Sequence, residues 1–173
     1  MIKIPHPAMT LNTAGFYEYQ MWNTRLVAPN VTPHWLINNV ASVAANAPGG
    51  KLSALIFLCH GFVDEKGEFL GLHIGTGIHF KNLKEFSKLR NLVDSIYITA
   101  CQAANGKGGQ RFCRELARQA QAIVYAGDSN QITTPLDIGR LKPGVIDAFE
   151  GQVYRFGISG DSSSVDLSQP VEN

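Results

Sequence analysis

The sequence predicts an α/β fold in which a mostly parallel central sheet is flanked by helices on both faces. One observation is a pair of short apolar runs, residues 52–61 and 95–101, which are rich in β-branched, aromatic and large aliphatic side chains. Strands that are covered on both faces of a parallel sheet have this composition, with almost no polar alternation. The other observation is that segments with helical spacing alternate with these runs, as they do in α/β layer proteins.

Three segments are predicted to be helices. The first covers about residues 33–46, because Thr32 can cap it and Pro33 suits the first helical position. The second, within residues 81–91, supplies the crossover that a parallel strand pair requires. The third precedes a strand at residues 122–126 and completes a second βαβ unit. The apolar stripes of the second and third helices are Leu83, Phe86 and Leu89, and Phe112, Cys113, Leu116, Ala117 and Ala120.

Two small hairpins are expected beside the main sheet. One follows the first apolar run and uses residues 69–74 and 78–80, and the other lies near the C-terminus within residues 145–158. The first thirty residues show no sustained period. A chain of 173 residues with 45% hydrophobic composition is long enough for one core. We therefore expect a single domain over residues 1–160 and a serine-rich, frayed tail over residues 161–173.

Charge and cysteine usage narrow the possible partners. Fifteen Lys and Arg against fourteen Asp and Glu give a net charge of +1, and no long basic run occurs. The sequence therefore predicts no nucleic-acid partner. Three singly scattered cysteines suit neither a disulfide framework nor a paired zinc motif, and they indicate a reducing compartment.

The chain shows no targeting or membrane signal. It has neither an apolar core of signal-peptide length at the amino terminus nor a run of apolar residues that could cross a bilayer. We expect a protein that is made in the cytoplasm and has no membrane partner. Export by a machinery that uses no cleaved signal would leave no mark in the sequence.

Both central apolar runs end in a reactive side chain. His60-Gly61 closes the first run, and Ala100-Cys101 closes the second. Because the carboxyl ends of parallel strands face the crevice where α/β proteins bind ligands, His60 and Cys101 are expected to lie side by side if the two strands are neighbours. The leading hypothesis is therefore a Cys/His pair.

These strand ends resemble the motifs of the caspase-like (clan CD) cysteine peptidases. The matching motifs are His60-Gly61 and Ala100-Cys101, in that order, each after an apolar segment. Residues 106–109, Gly-Lys-Gly-Gly, and the segment 111–117 resemble the loop and helix that follow the cysteine in bacterial members. The resemblance covers roughly residues 52–128. It implies a caspase-like α/β domain with peptidase activity, in which Gly61 helps to bind the oxyanion.

The chemistry assigns a role to each residue of the pair. Cys101 would be the nucleophile that forms an acyl-enzyme, and His60 would be the acid/base, since the unperturbed pKa of histidine, about 6.5, suits proton transfer near neutral pH. Backbone N–H groups of Gly61 and Cys101 would form the oxyanion hole. The alternative is that Cys101 is a small buried hydrophobe and His60 a loop histidine that bonds to the backbone.

The other cysteines and histidines have simpler interpretations. Cys59 and Cys113 are expected to be core residues, one at a strand end facing away from His60 and one on a helical apolar stripe. His73 and His79 flank a glycine-rich segment, but their spacing is not that of a zinc motif. We therefore predict no metal and no cofactor.

Asp128 and Thr99 are candidates for substrate binding. Asp128 ends the strand after the one that carries Cys101, so its carboxylate could line the crevice and favour a substrate Arg or Lys. The alternative is a turn or cap formed with Ser129 and Asn130. Thr99, two residues before Cys101, is expected to point into the same pocket.

Taken together, these patterns predict a cysteine endopeptidase that cleaves a protein or peptide substrate through Cys101 and His60. Two alternatives stay open. One is a catalytically silent caspase-like module that binds a protein partner. The other is an enzyme that uses the same attack for acyl transfer or thioester hydrolysis.

Overall fold

The computed structural model describes residues 1–15, 18–131 and 142–167. The described residues form two α-helices, α1 (Pro33–Ala45) and α2 (Gly106–Ala120), and two 3-10 helices, Pro48–Gly50 and Phe80–Leu89. The strands are β1 (Ile2–Lys3), β2 (Ala8–Thr13), β3 (Asn23–Val27), β4 (Leu52–Leu58), β5 (His60–Val63), β6 (Phe69–His73), β7 (Ile78–His79), β8 (Val93–Thr99), β9 (Ile123–Gly127), β10 (Val145–Ile146), β11 (Val153–Phe156) and β12 (Ser162–Val165).

The main sheet has seven strands in the order β12-β11-β9-β8-β4-β2-β3. Strands β3, β2, β4, β8 and β9 are parallel, whereas β11 and β12 run antiparallel to their neighbours. The link between β11 and β12 is too short for a crossover, which needs a dozen or more residues, so these two strands must be antiparallel. The α/β class is confirmed, and the expected mostly parallel sheet is corrected to a mixed one.

Helix α1, the Phe80–Leu89 helix and α2 all pack on one face of the main sheet. Apolar residues of α1, of the Phe80–Leu89 helix and of α2 share one core cluster with the side chains of the central strands that point to this face. A separate cluster covers the other face, and its members come from strands and loops. They are Ile2, Ile4, Ala8, Tyr19, Ala54, Ile56, Leu58, Tyr97, Ile146, Val153 and Leu167. For the described part of the chain, the prediction of helices on both faces is therefore wrong.

The first residue of helix α1 and the apolar stripes of the helices agree with the predictions made from the sequence. Helix α1 begins after Thr32, whose hydroxyl accepts a hydrogen bond from the Trp35 N–H at 3.3 Å. The predicted crossover helix is a 3-10 helix. Leu83, Phe86 and Leu89 recur every three residues, which is the repeat of a 3-10 helix, so all three side chains are buried on one side.

The small strands differ from the prediction in their pairing. The expected hairpin after the first core strand is a three-stranded antiparallel sheet of β5, β6 and β7. At the C-terminal end, β10 pairs with β1 rather than with β11, and the hairpin there is formed by β11 and β12. Strand β12 lies within the tail that was expected to fray, while residues 168–173 lie outside the described residues. Among the described residues, no helix has the length and apolar character needed to cross a membrane.

The contact between the Phe80–Leu89 helix and the sheet yields a stability prediction. The fully buried Phe86 ring lies 6.0 Å from the Phe57 ring, measured between centroids. Phe86→Ala should lower the free energy of unfolding by about 3–5 kcal/mol, because it removes apolar contacts and leaves a cavity. Urea denaturation measures the change. Lys81→Ala, at an exposed position of the same helix, should change it by less than about 0.5 kcal/mol, and equal effects of the two substitutions would contradict the packing.

Candidate active site

The pairing of β4 with β8 brings the two predicted catalytic residues to the same end of the sheet. Leu58 lies opposite Thr99 in this parallel pair. His60 and Cys101 each follow two residues later, where the chain leaves the sheet. Both segments therefore emerge at the carboxyl edge, where α/β proteins bind ligands.

The backbone of Gly61 lies against the backbone of Cys101. A Cβ atom added at Gly61 would overlap with the Cys101 carbonyl oxygen and would lie 3.3 Å from its carbonyl carbon. The same atom would be 3.0 Å from the Phe69 ring. Glycine is therefore required for the His60-Gly61 segment to approach the cysteine this closely.

Cys101 is the accessible thiol of the three. Its side chain is half-buried, and its Sγ donates to the Gln131 carbonyl at 3.7 Å. Cys59 and Cys113 are buried, and burial raises the pKa of both thiols. The prediction that these two cysteines are core residues is confirmed, and Cys113 also donates to the Ala103 carbonyl at 3.3 Å.

A tight turn follows Cys101 and is held by the loop after β9. Gln102 has a φ of 56°, a left-handed conformation that is unfavourable for a residue with a side chain. Its N–H donates to the Ser129 carbonyl, and its side-chain amide donates to the Asn130 side chain, both at 2.9 Å. Such local strain is commonly found where a fold fixes a functional side chain. The turn therefore fixes the position of Cys101 just after the end of β8.

His60 opens a small sheet that carries two further histidines. It lies opposite His73 in the β5–β6 pair, with 6.4 Å between the ring centroids. Phe62 is stacked between His73 and His79, at centroid distances of 4.5 and 5.2 Å. Across residues 1–15, 18–131 and 142–167, no group of three His, Cys, Asp or Glu side chains is arranged to hold a metal ion.

Glu68 links the β5–β6 pair, which begins at His60, to α2, the helix that follows Cys101. Its carboxylate accepts a hydrogen bond from the Gly108 N–H, in the first turn of α2, at 3.0 Å. A carboxylate at this end of a helix is stabilised by the helix dipole. Asp64 shapes the β5–β6 turn, since its Oδ1 accepts from the N–H groups of Lys66 and Glu68 at 2.8 and 2.9 Å.

Asp128 and Thr99 make structural contacts. Asp128 Oδ1 accepts from the Gln152 N–H at 2.9 Å and from the Ser129 hydroxyl at 3.0 Å. These bonds fit the alternative of a turn-forming aspartate. Thr99 is buried, and its hydroxyl donates to the Phe57 carbonyl at 2.8 Å. A role in substrate binding stays a prediction for both residues.

Two residues that sequence reasoning missed lie near the Thr99 end of β8. Tyr19 is buried, and its hydroxyl lies near the Thr99 side chain and near Asp147. Burial raises the pKa of Tyr19, and the nearby Asp147 carboxylate raises it further. The sequence contains no local signal for this contact, because Tyr19 and Asp147 come from opposite ends of the chain.

Comparison of the chain with protein-family models and with curated proteins finds no match to either.

Thiol alkylation tests the assignment of Cys101 as the accessible cysteine. At neutral pH, iodoacetamide should label Cys101 in the folded protein at least about tenfold faster than Cys59 or Cys113, because burial shields the latter two and raises the pKa of their thiols. Peptide mapping by mass spectrometry measures the three rates. Denaturant should make the rates similar, and similar rates before denaturation would contradict the assignment.

Substitution of Gly61 tests the close approach of the two segments. Gly61→Ala should destabilise the protein by about 1–3 kcal/mol, because the new methyl group overlaps with a backbone carbonyl that cannot move freely. Urea denaturation measures this change, with Glu65→Ala in the exposed β5–β6 turn as the control. Wild-type stability of Gly61→Ala would show that the two backbones are farther apart.

Proposed function

We propose that this protein is a cysteine peptidase of the caspase-like type, which cleaves a protein or peptide through Cys101 and His60. The observation that supports this proposal is the contact between the Gly61 backbone and the Cys101 backbone at the shared carboxyl edge of β4 and β8. Two short motifs that are remote in sequence thereby meet, which supports a shared role for them in thiol catalysis.

In the proposed reaction, the Cys101 Sγ attacks the carbonyl carbon of the scissile peptide bond. The thiol proton passes to His60, and the tetrahedral intermediate collapses when His60 returns a proton to the departing amine. This step leaves an acyl-enzyme with a carbon–sulfur bond. Water then adds to the thioester with His60 as the base, which releases the carboxylic acid product and restores the thiol.

Backbone donors would stabilise the charge that develops on the carbonyl oxygen. The N–H groups of Gly61 and Cys101 are the proposed donors, and the close packing of the two segments supports this role. The turn at Gln102, bonded to Ser129 and Asn130, limits the movement of Cys101. Preorganised donors of this kind do not have to reorient during the reaction, which is the source of their catalytic effect.

Removal of either side chain of the pair tests the proposal. Cys101→Ala and His60→Ala should each lower kcat/KM for a cleaved peptide by about a thousandfold or more, because nucleophile and base act as a unit. A peptide library analysed by mass spectrometry identifies the substrate and measures the rates.

Cys113→Ala is the matched control, since it removes a thiol that the proposed reaction does not use. It should retain at least about a third of the wild-type rate, if circular dichroism shows a folded protein. Equal cleavage by wild type and Cys101→Ala would refute the mechanism. The absence of any cleavage by wild type would favour the silent binding module instead.

A further inference from the structure

We infer that the exposed face formed by α2 and the Phe80–Leu89 helix is a docking surface for an acidic segment of a partner protein. The inference goes beyond the proposed peptidase activity and does not depend on it, because the surface is formed by two helices and not by the Cys101 thiol. It follows from the distribution of charge along the chain and from the contacts that hold the two helices side by side.

The charges of the chain are divided unequally between the helices and the rest. Residues 80–120 carry eight Lys and Arg against three Asp and Glu. The other residues carry seven Lys and Arg against eleven Asp and Glu. The net charge of +1 therefore conceals a basic segment in an otherwise acidic chain, and such an asymmetry favours a partner of opposite charge at the basic surface.

The exposed face of α2 is a row of cations. Lys107, Arg111, Arg114 and Arg118 follow one another at spacings of four, three and four residues, which brings them to one side of an α-helix. At about 1.5 Å per residue, neighbouring members of the row are about 4.5–6 Å apart along the helix. The buried residues of α2 lie on the opposite side, and they are Gly109, Phe112, Cys113, Leu116, Ala117 and Ala120.

The Phe80–Leu89 helix lies beside α2 and runs in roughly the same direction. At its start, the Phe80 ring centroid is 4.4 Å from the guanidinium carbon of Arg111. Just after its end, Arg90 Nε donates to the carbonyl of Gln119, near the end of α2, at 3.1 Å. Apolar side chains of both helices belong to one core cluster, so their relative position is fixed by packing as well.

The second helix adds its own row of cations to this face. Lys81, Lys84 and Arg90 are separated by multiples of three residues, so they fall on one side of a 3-10 helix, and all three are exposed. Because Arg90 reaches the Gln119 carbonyl, this row lies on the side of the helix that faces α2. The two rows therefore form one basic face.

Most cations of this face lack an ionic partner in the described part of the chain. Glu85 pairs with Lys88 at 2.8 Å, and Glu115 pairs with Arg118 at 2.6 Å. The exposed cations that form no ion pair with a described residue are Lys81, Lys84, Arg90, Lys107 and Arg111. Like charges that are gathered on one surface repel one another, and an anionic partner relieves this repulsion.

An acidic protein segment fits this face better than a nucleic acid or a membrane. The carboxylates of Glu85 and Glu115 lie among the cations, so an evenly charged phosphate backbone would be repelled at these points. A protein segment can place carboxylates opposite the unpaired cations and neutral residues elsewhere. The exposed Phe80 ring is covered by the Arg111 guanidinium, so it is not available to enter a bilayer.

The spacing of the cations also suits an extended segment. Alternate side chains of an extended chain point to the same side and are about 6.6–6.8 Å apart, which is close to the spacing along the α2 row. The segment that fits best therefore carries an acidic residue at every second position.

The experiment measures binding of a fluorescein-labelled dodecapeptide of alternating Glu and Gly by fluorescence anisotropy. Wild type should bind it at about 50 mM salt with a Kd below about 100 μM, and at least about tenfold more weakly at about 300 mM salt, because salt screens exposed charges. The same peptide with Gln in place of Glu should not bind. The double variant Lys107→Glu/Arg111→Glu should raise the Kd at least about tenfold.

The matched control is the double variant Lys3→Glu/Arg25→Glu, which changes the net charge equally at exposed positions of β1 and β3. It should change the Kd by less than about threefold. A second test variant, Lys81→Glu/Lys84→Glu, reverses two cations of the neighbouring helix and should weaken binding as the α2 variant does. It decides the question if circular dichroism shows that the α2 variant is unfolded.

The outcomes distinguish the surface from its partner class and from the peptidase. Failure of wild type to bind the peptide at about 1 mM, or equal weakening by test and control variants, would refute the docking surface. Tighter binding of an oligothymidylate with the same number of charges, or of phosphatidylserine vesicles, would refute the choice of a protein partner. None of these results depends on cleavage, so a protein without peptidase activity can still confirm the surface.

Discussion

The parallel pairing of β4 with β8 determines where the candidate site lies, since it ends both strands at one level. Leu55, Phe57, Ile96 and Ile98 are fully buried on the face that the helices cover, and burial of each such side chain contributes about 1.5–3 kcal/mol. A shift of one residue in this pairing would turn each of them to the wrong face. The packing that holds the register therefore also holds Gly61 against Cys101, and the stability of the core and the geometry of the site depend on the same contacts.

The one-sided arrangement of the helices has a consequence for the site. On the face that the helices cover, the core is apolar and closed. On the other face, loops and short strands cover the sheet, and loops can carry polar groups to the end of β8, as Tyr19 does. One side of the site is therefore built from regular elements, namely the β4–β8 pair and the hydrogen bond between Glu68 and α2. The other side is built from loops. This division is common in α/β proteins, where rigid elements position the reacting groups and loops select the ligand.

The sequence predicted the elements whose signals are local. Helix α1, β4 and β8 were recognisable because a proline after a capping threonine and continuous apolar runs each identify one kind of element. The placement of the His60-Gly61 segment beside Cys101 followed from the strand ends alone. In contrast, β2 and β3 lie in a segment without a sustained period, and the cover of the second face is built from residues scattered from Ile2 to Leu167. Contacts between such distant segments leave no periodic pattern, which is why the proximity of Tyr19 to Asp147 was missed.

The bonds that residues 150–152 make to the loop after β9 also bear on how the protein folds during synthesis. Strands β4 and β8, the Phe80–Leu89 helix and α2 can dock as soon as about two thirds of the chain has emerged, because their contacts are made among neighbours in sequence. The loop that holds the Cys101 turn is not fully bonded until residues 150–152 have left the ribosome, because the N–H groups of Glu150 and Gln152 donate to the side chains of Gln131 and Asp128. A nascent chain would therefore bring Gly61 against Cys101 before the loop beside Cys101 was fixed in place.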